Sequence, residues 1–338
     1  MEVRMTSERP TRKHNLPASV SSFIGREQEL REIQQRLGEN RLITLTGTGG
    51  TGKTRLALQA ATAERDHFSD GVWLIDLAPL AASELVLETI AKVLNLPEAP
   101  DPAPIERLGV YLEPRHLLLV LDNCEHLIEE CARIVALLLA RCPRLMLLAT
   151  SREPLLVSGE VVLRVPALSL PEEAEPADRA RFLHYDALRL FVERAQAADP
   201  SFRLTGGNAG VVAEICRHLD GLPLALELAA VRVRGMGVAR LSAGLDQRFQ
   251  LLIGGDRTAL PRQQTLHAMI DWSYRLLPES EQVVLRRLGI FVGAFELAAA
   301  ESVCAGEYLG QNGREIITPE TMLNHLLQLV NKSLVQFN

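Results

Sequence analysis

Thr46-Gly47-Thr48-Gly49-Gly50-Thr51-Gly52-Lys53-Thr54 follows the apolar run of residues 42–46 and leads into Arg55-Leu56-Ala57-Leu58-Gln59-Ala60-Ala61. From Gly47 the stretch satisfies G-x-x-x-x-G-K-[ST], between a predicted strand and a predicted helix, the context in which that pattern is informative. Its glycines let successive backbone N–H groups turn inward around phosphate oxygens, and the helix N-terminus adds a partial positive charge at the same point. Lys53 is expected to reach the β- and γ-phosphates, and the Thr54 hydroxyl to ligate Mg²⁺.

The lysine in that loop stands out against the composition. Of 36 basic residues only four are lysines, Lys13, Lys53, Lys92 and Lys332, and the rest are arginines. A compact ammonium on a flexible stem suits the bridging of phosphates. The other totals mainly exclude. With 47% hydrophobic and 23% charged residues, the chain can bury cores and is not disordered. A net charge of −6 argues against a generic nucleic-acid coat. The longest uncharged apolar run, residues 134–140, is flanked by Arg133 and Arg141 and is too short for a membrane span. The N-terminus has no apolar core of a secretory signal. Cys124, Cys131, Cys142, Cys216 and Cys304 form no C-x-x-C, which fits reduced thiols in a cytoplasmic protein. Cys124, His126, Cys131 and Cys142 match no zinc spacing.

Outward from the loop, a helix is expected over residues 26–37 with Gly38 as its stop. Strands are expected over 42–46, 72–77, 117–121, 145–150 and 161–165. Several are almost wholly apolar, as strands covered on both faces should be, and helical stretches of about 10–15 residues lie between most of them. That alternation predicts an α/β fold with a parallel sheet. After Pro166 the pattern changes. Residues 171–178 read as an exposed linker, and helices are expected over 185–198, 208–219, 223–234, 238–251, 264–275, 280–291, 297–304 and 319–331, with one strand at 333–337. The expected organisation is a flexible segment 1–20, a nucleotide-binding domain 21–166, a helical domain 167–255 and a last domain 256–338.

Four residues beyond the loop carry candidate chemistry. In His116-Leu117-Leu118-Leu119-Val120-Leu121-Asp122-Asn123 an apolar strand ends in a carboxylate, placing Asp122 where open α/β sheets bind ligands. Asp122 is therefore a candidate to hold Mg²⁺ with Thr54. Where many hydrolytic ATPases carry a second acid directly after this position, the chain has Asn123, whose amide cannot act as a base, so slow hydrolysis is expected. Glu125 and Glu130 are nearby candidates for the base, though Glu125 could equally be a solvated first-turn helix residue. The next strand ends Ala149-Thr150-Ser151-Arg152-Glu153, and Arg152 at its tip is a candidate sensor of the γ-phosphate.

With two further motifs, these elements resemble the NB-ARC/STAND family of signalling ATPases, and more narrowly the ATPase region of large bacterial LuxR-type or antibiotic-regulator-type transcriptional regulators. One is Asn15-Leu16-Pro17 with Phe23-Ile24-Gly25-Arg26-Glu27, similar to a family motif whose backbone lies near adenine. The other is Gly221-Leu222-Pro223-Leu224-Ala225-Leu226, similar to the family's GLPLA element, whose proline packs on the base. Read without the family, the same residues are a helix stop followed by a proline-started helix. The resemblance spans about residues 15–337. It implies a P-loop NTPase sheet, a helical domain and a partial winged-helix domain, with ATP/ADP and Mg²⁺ as cofactors. The implied nucleotide contacts are Phe23, Ile24, Gly25, Arg26, Gly47, Thr48, Gly49, Gly50, Thr51, Gly52, Lys53, Thr54, Arg55 and Pro223. Lys53, Asp122, Glu125 and Arg152 are the catalytic candidates, and Thr54 and Asp122 the metal ligands.

The function so implied is a nucleotide switch in signal transduction, closed with ADP and open with ATP–Mg²⁺, with slow hydrolysis and possible nucleotide-dependent self-association. Family members continue into sensor and effector domains, so the chain reads as a fragment or truncated product. Direct DNA binding by residues 256–338 is not expected, and Trp272 and Tyr274 read as packing residues. Two alternatives stay open: a fast P-loop ATPase or kinase, and a DNA-binding winged-helix repressor with a vestigial nucleotide fold.

Overall fold

A strand with neighbours on both sides and helices over both faces must be apolar throughout, whereas an edge strand can alternate. The computed structural model, which describes residues 13–97, 103–172, 181, 183–245, 266–291, 293–310 and 313–335, follows that rule. Five strands, β1 (Leu42–Thr46), β2 (Val72–Asp76), β3 (Leu118–Asp122), β4 (Met146–Thr150) and β5 (Glu160–Arg164), form one sheet in the order β2-β3-β4-β1-β5. The inner strands β1 and β3 are buried along their whole length, and β4 at all but Met146. The edge strands β2 and β5 are only partly so. β2 pairs with β3, β3 with β4 and β4 with β1, all in parallel. The α/β reading of the sequence therefore holds.

The chain divides into two compact units. One comprises Met1–Phe23, Glu27–Leu45 and Thr54–Leu163, the other Ile24–Arg26, Thr46–Lys53 and Arg164–Asn338. In the first, alternate sheet residues Leu119, Leu121 and Leu147 pack with α3 (Leu85–Val93), α4 (Pro104–Leu112) and α5 (Ile128–Arg141) through Ile90, Leu108 and Ile134. Each fully buried leucine or isoleucine contributes about 2 kcal/mol. The unit also holds α1 (Glu27–Glu39) and, from Thr54 on, α2 (Lys53–Glu64), whose Ile33, Leu56 and Ala60 are buried.

The second unit contains α6 (Asp186–Ala198), α7 (Gly206–His218) and α8 (Pro223–Gly244), packed around Phe191, Ile215, Leu226 and Ala229. Helix α8 breaks at Gly237 (φ 69°, ψ 165°), which matches the two successive helices read from the sequence. Further along come α9 (Leu266–Arg275), α10 (Glu279–Leu288), α11 (Leu297–Cys304), the antiparallel pair β6 (Gly306–Gly310) and β7 (Gly313–Ile317), and α12 (Pro319–Asn331). Their core is built on Val284, Leu288, Cys304, Met322 and Leu329. Lys332 donates to both carboxylate oxygens of the buried Glu281 at 3.0 and 2.8 Å. Among the described residues no helix is long and apolar enough to cross a membrane.

Four local expectations are corrected. Residues 13–15, read as part of a flexible lead-in, run beside the edge strand β2: Val72 N–H donates to Lys13 O at 2.9 Å, and the Asn15 side chain both donates to and accepts from Leu74. An edge strand leaves unpaired backbone groups, and this segment satisfies them. Helix α1 continues through Gly38 to Glu39, because Gly38 does not take the left-handed conformation of a helix stop. The β6–β7 pair was not expected. Ser333 to Val335 are not a strand, since Leu334 and Val335 N–H turn back to Leu329 O at the end of α12. Residues 1–12 of the expected flexible segment, 173–178 of the expected linker, the boundary at 255/256, residues 246–251 and 264–265 of two expected helices, residues 336–337, and the Trp272 side chain lie outside the described residues.

Candidate functional site

In the phosphate loop, Gly47, Gly50 and Gly52 have φ of 147°, 79° and 89°, values that L side chains rarely adopt. A Cβ on Gly47 would lie 2.9 Å from Val165 O, and Val165 N–H donates to Thr46 O at 2.8 Å. Thr51 Oγ1 donates to Thr48 O at 3.0 Å and closes the turn. Lys53 Nζ donates back into the loop, to Gly47 O at 2.7 Å and Thr48 O at 3.0 Å.

The residue after Lys53 meets the carboxylate expected of it. Thr54 Oγ1 donates to Asp122 Oδ1 at 2.8 Å, and Thr150 Oγ1 donates to the same oxygen at 2.6 Å. Asn123 Nδ2 donates to Asp122 Oδ2 at 2.7 Å, and Asn123 N–H donates to Thr150 Oγ1 at 2.9 Å. The tips of β3 and β4 are thereby tied together around one carboxylate. Burial pushes the Asp122 carboxyl above its ordinary range against the pull of the Thr150 and Thr54 hydroxyls, with Asp76 and Glu125 adding repulsion. A buried anion held by hydroxyls and disfavoured by its surroundings is prepared for a cation. Asp76, directly across from Asp122 in the parallel register, was not singled out from the sequence. The signal was a second apolar strand ending in an aspartate, Val72-Trp73-Leu74-Ile75-Asp76.

Asn123 adopts the left-handed conformation (φ 66°) and starts a 3-10 turn over Cys124–His126 that projects Glu125. Cys124 is buried and His126 Nε2 lies 3.1 Å from Leu80 O, so both flanks of Glu125 are anchored. The Glu125 carboxylate meets Arg152, Oε1 to Nε at 3.5 Å, with each side chain only 8% exposed. Arg152 is fixed in turn: Ser151 N–H donates to Leu45 O at 3.0 Å, and Glu153 N–H to Ser151 Oγ at 3.3 Å. The solvated-helix reading of Glu125 is thus replaced by an ion pair. Glu130, the other candidate base, pairs instead with Arg133 at 2.6 Å, which holds its carboxyl below the usual range.

The remaining candidates divide by role. Ile24 packs against the α6–α8 core, and Gly25 (φ 68°) approaches α6 so closely that a Cβ would fall 2.2 Å from the Asp186 carboxyl. Arg26, 6% exposed, donates to Thr51 O at 3.2 Å and Pro166 O at 2.5 Å, a cross-brace under the loop rather than a backbone-only contact. Leu224 N–H donates to Gly50 O at 3.2 Å, and Pro223 Cγ stands 4.0 Å from where a Gly52 Cβ would be. The GLPLA-like stretch therefore touches the phosphate loop. Arg55 donates to Ser21 and Ser22 at 2.7 to 3.4 Å. Phe23 is half-buried, and Thr48 and Gly49 lie on the partly exposed side of the loop.

These residues fit a nucleotide phosphate and its metal ion. The glycine turns form a cradle that a Cβ at Gly47 would fill, and the hydroxyl of Thr54 with the carboxylate of Asp122 is the oxygen donor set that Mg²⁺ takes. Among the described residues no group of three or more His, Cys, Asp or Glu is arranged to hold a metal ion.

Comparison with known proteins gives the same outline. The family described as NB-ARC domain matches residues 26–165. A Mycobacterium tuberculosis protein named as an HTH-type transcriptional regulator is 47% identical over 299 residues, covering 88% of this chain and 31% of the relative. The chain thus spans about a third of that relative's length. An uncharacterized protein of the same organism is 38% identical over 323 residues, covering 96% of this chain and 77% of the relative. The regulatory protein AfsR of Streptomyces griseus is 30% identical over 309 residues, covering 85% of this chain and 28% of its own length.

Proposed function

The chain belongs to the NB-ARC family of P-loop NTPases, and from that membership we propose that it is the ATP/ADP switch module of a transcriptional regulator. The observation that carries this reading is the Thr54–Asp122–Thr150 network beside Asn123. The hydroxyl and carboxylate that would hold Mg²⁺ are already in contact, while the position next to Asp122 carries an amide that supplies no base. Binding is provided for more fully than turnover.

In this reading Lys53 exchanges its loop carbonyls for phosphate oxygens, and the loop N–H groups hold the β-phosphate. Mg²⁺, when bound, would neutralise charge on the β- and γ-phosphates, held by Thr54 and Asp122. Arg152 senses the γ-phosphate, so ATP and ADP would favour different conformers through contacts that only one of them makes. The contact of Leu224 with Gly50 supports a route from the loop to the helical region. Self-association in the ATP form, a cytoplasmic setting and continuation into sensor and effector domains belong to the same proposal, supported by relatives named as regulators.

The test is titration calorimetry of ADP and ATP with Mg²⁺ against wild type, Lys53→Ala and Asp122→Ala, with steady-state hydrolysis on the same samples. Wild type should bind both nucleotides, with Lys53→Ala weakening both and Asp122→Ala weakening the Mg²⁺-dependent part. Turnover should stay well below about 1 s⁻¹, the low end for P-loop enzymes with a complete site. Unchanged affinities in both variants would sink the reading, and turnover above that rate would favour an ATPase or kinase.

A further inference from the structure

The pair Glu125–Arg152 poses a question that the switch reading leaves open. A sensor arginine is useful only if something else holds it when the γ-phosphate is absent, since a buried guanidinium without a counter-charge is costly. Arg152 is 7% exposed and forms an ion pair with Glu125, Nε to Oε1 at 3.5 Å. Both partners are fixed by their backbones: Glu125 on the short turn between buried Cys124 and anchored His126, Arg152 on the tip of β4 between two hydrogen-bonded residues. Among the described residues Glu125 Oε2 is buried and accepts no hydrogen bond, so this carboxylate is committed to Arg152 through one oxygen only.

The pair also sits beside the metal-binding carboxylate. Thr150, two residues before Arg152, shares Asp122 Oδ1 with Thr54, and Asp122 feels the charge of Glu125. A γ-phosphate whose Mg²⁺ is held by Thr54 and Asp122 would therefore approach a carboxylate that repels it and an arginine that attracts it, the two already joined.

We propose that Glu125 is a competitor of the γ-phosphate for Arg152, a specificity-determining residue that weakens ATP relative to ADP and so sets the position of the switch. It is not the hydrolytic base in this account. Its carboxylate balances Arg152 when ADP or no nucleotide is bound, and ATP must displace or share that contact. ADP, which lacks the competing group, is indifferent to it. A ligand shifts an equilibrium only by its differential affinity, and Glu125 reduces that differential to a value small enough to be reversed. The inference rests on the nucleotide-switch reading and fails separately from it.

The experiment is measurement of Kd for ATP–Mg²⁺ and ADP–Mg²⁺ with the full chain, as wild type, Glu125→Gln, Arg152→Gln and the double variant. Glu125→Gln keeps the shape and removes the charge. It should tighten ATP by about tenfold, within the usual span of coupling free energies, and move ADP by less than about twofold. In the Arg152→Gln background the same change should move ATP by less than about twofold, because the group competed for is gone. Glu125→Asp, which keeps the charge but draws it back, should give a smaller tightening and serves if the glutamine variant folds poorly.

The proposal is overturned if Glu125→Gln leaves ATP affinity unchanged or weakens it. It is equally overturned if hydrolysis disappears at constant ATP affinity, which would make Glu125 a base. Full tightening in the Arg152→Gln background would mean simple repulsion without competition, and also overturns it. If wild type binds neither nucleotide, the switch reading falls first, and this falls with it.

Discussion

Thr150→Val is the most informative perturbation of the network around Asp122. The Thr150 hydroxyl is 1% exposed and makes two bonds, donating to the Asp122 carboxylate at 2.6 Å and accepting from Asn123 N–H at 2.9 Å. Valine keeps the volume and removes both. A hydrogen bond to a charged group contributes about 1.5–3 kcal/mol, and an N–H left without its partner costs about 1 kcal/mol more. The expected loss is thus roughly 3 kcal/mol, or on the order of 6–12 °C in Tm for a unit of this size. Thermal unfolding without nucleotide is the assay, with Thr150→Ser, which retains the hydroxyl, as the control.

The pH dependence of that loss has a definite sign. The Asp122 carboxyl is already raised by burial, and the Thr150 bond opposes the rise. Removing the bond raises it further, so the folded variant holds its proton to higher pH than folded wild type. Where the folded state binds more protons than the unfolded, stability falls as pH rises. The deficit of the variant should therefore fall at low pH, where Asp122 is protonated in both proteins, to the part owed to the Asn123 N–H, about 1 kcal/mol, and grow as pH rises through the folded pKa. A valine variant that melts with the serine control, or a deficit that shrinks with rising pH, would refute the account of Asp122 as a carboxylate stabilised chiefly by the β4 tip.

Two further perturbations test other parts of the structure. Lys332→Met should cost about 3–5 kcal/mol by leaving Glu281 buried without its partner, and adding Glu281→Met should recover most of that loss; equal Tm values for the single and double variants would count against a buried pair. Gly47→Ala should abolish nucleotide binding, since φ is 147° and the added Cβ would press on Val165 O at 2.9 Å; a variant with wild-type ADP affinity would show that the cradle tolerates a side chain there.

The parts of the fold legible in the sequence are those where local chemistry and tertiary packing ask for the same residue. β1 and α12 have their expected limits, 42–46 and 319–331, because the first is an uninterrupted apolar run ending at a glycine loop. The second begins with Thr318 capping the Thr321 N–H and Pro319 at the first helical position. Where a residue type has two uses, the local signal misleads. Gly38 looks like a helix stop, yet with no atom within 4 Å of its added Cβ and no left-handed φ it is only a solvent-side helix residue. The β6–β7 pair left a weaker local trace, since its strands Gly306–Gly310 and Gly313–Ile317 are short, bear glycines at their paired ends Gly310 and Gly313, and lie between helices.

The site shows the same division at higher stakes. Lys53, Thr54 and Asp122 could be singled out because a glycine loop before a helix and an apolar strand ending in a carboxylate are local patterns, and Thr54 and Asp122 do meet. The partnership of Glu125 with Arg152 could not, since it is set by sheet order. Strands β3 and β4 are neighbours, so the turn after one faces the tip of the other across a separation of 27 residues. Arg26 escaped for a related reason. Its motif is recognisable in sequence, but its work is done by a buried guanidinium bonding carbonyls that lie 25 and 140 residues away. Motif reading therefore finds groups whose pattern is local and misses partnerships that the fold makes between distant residues.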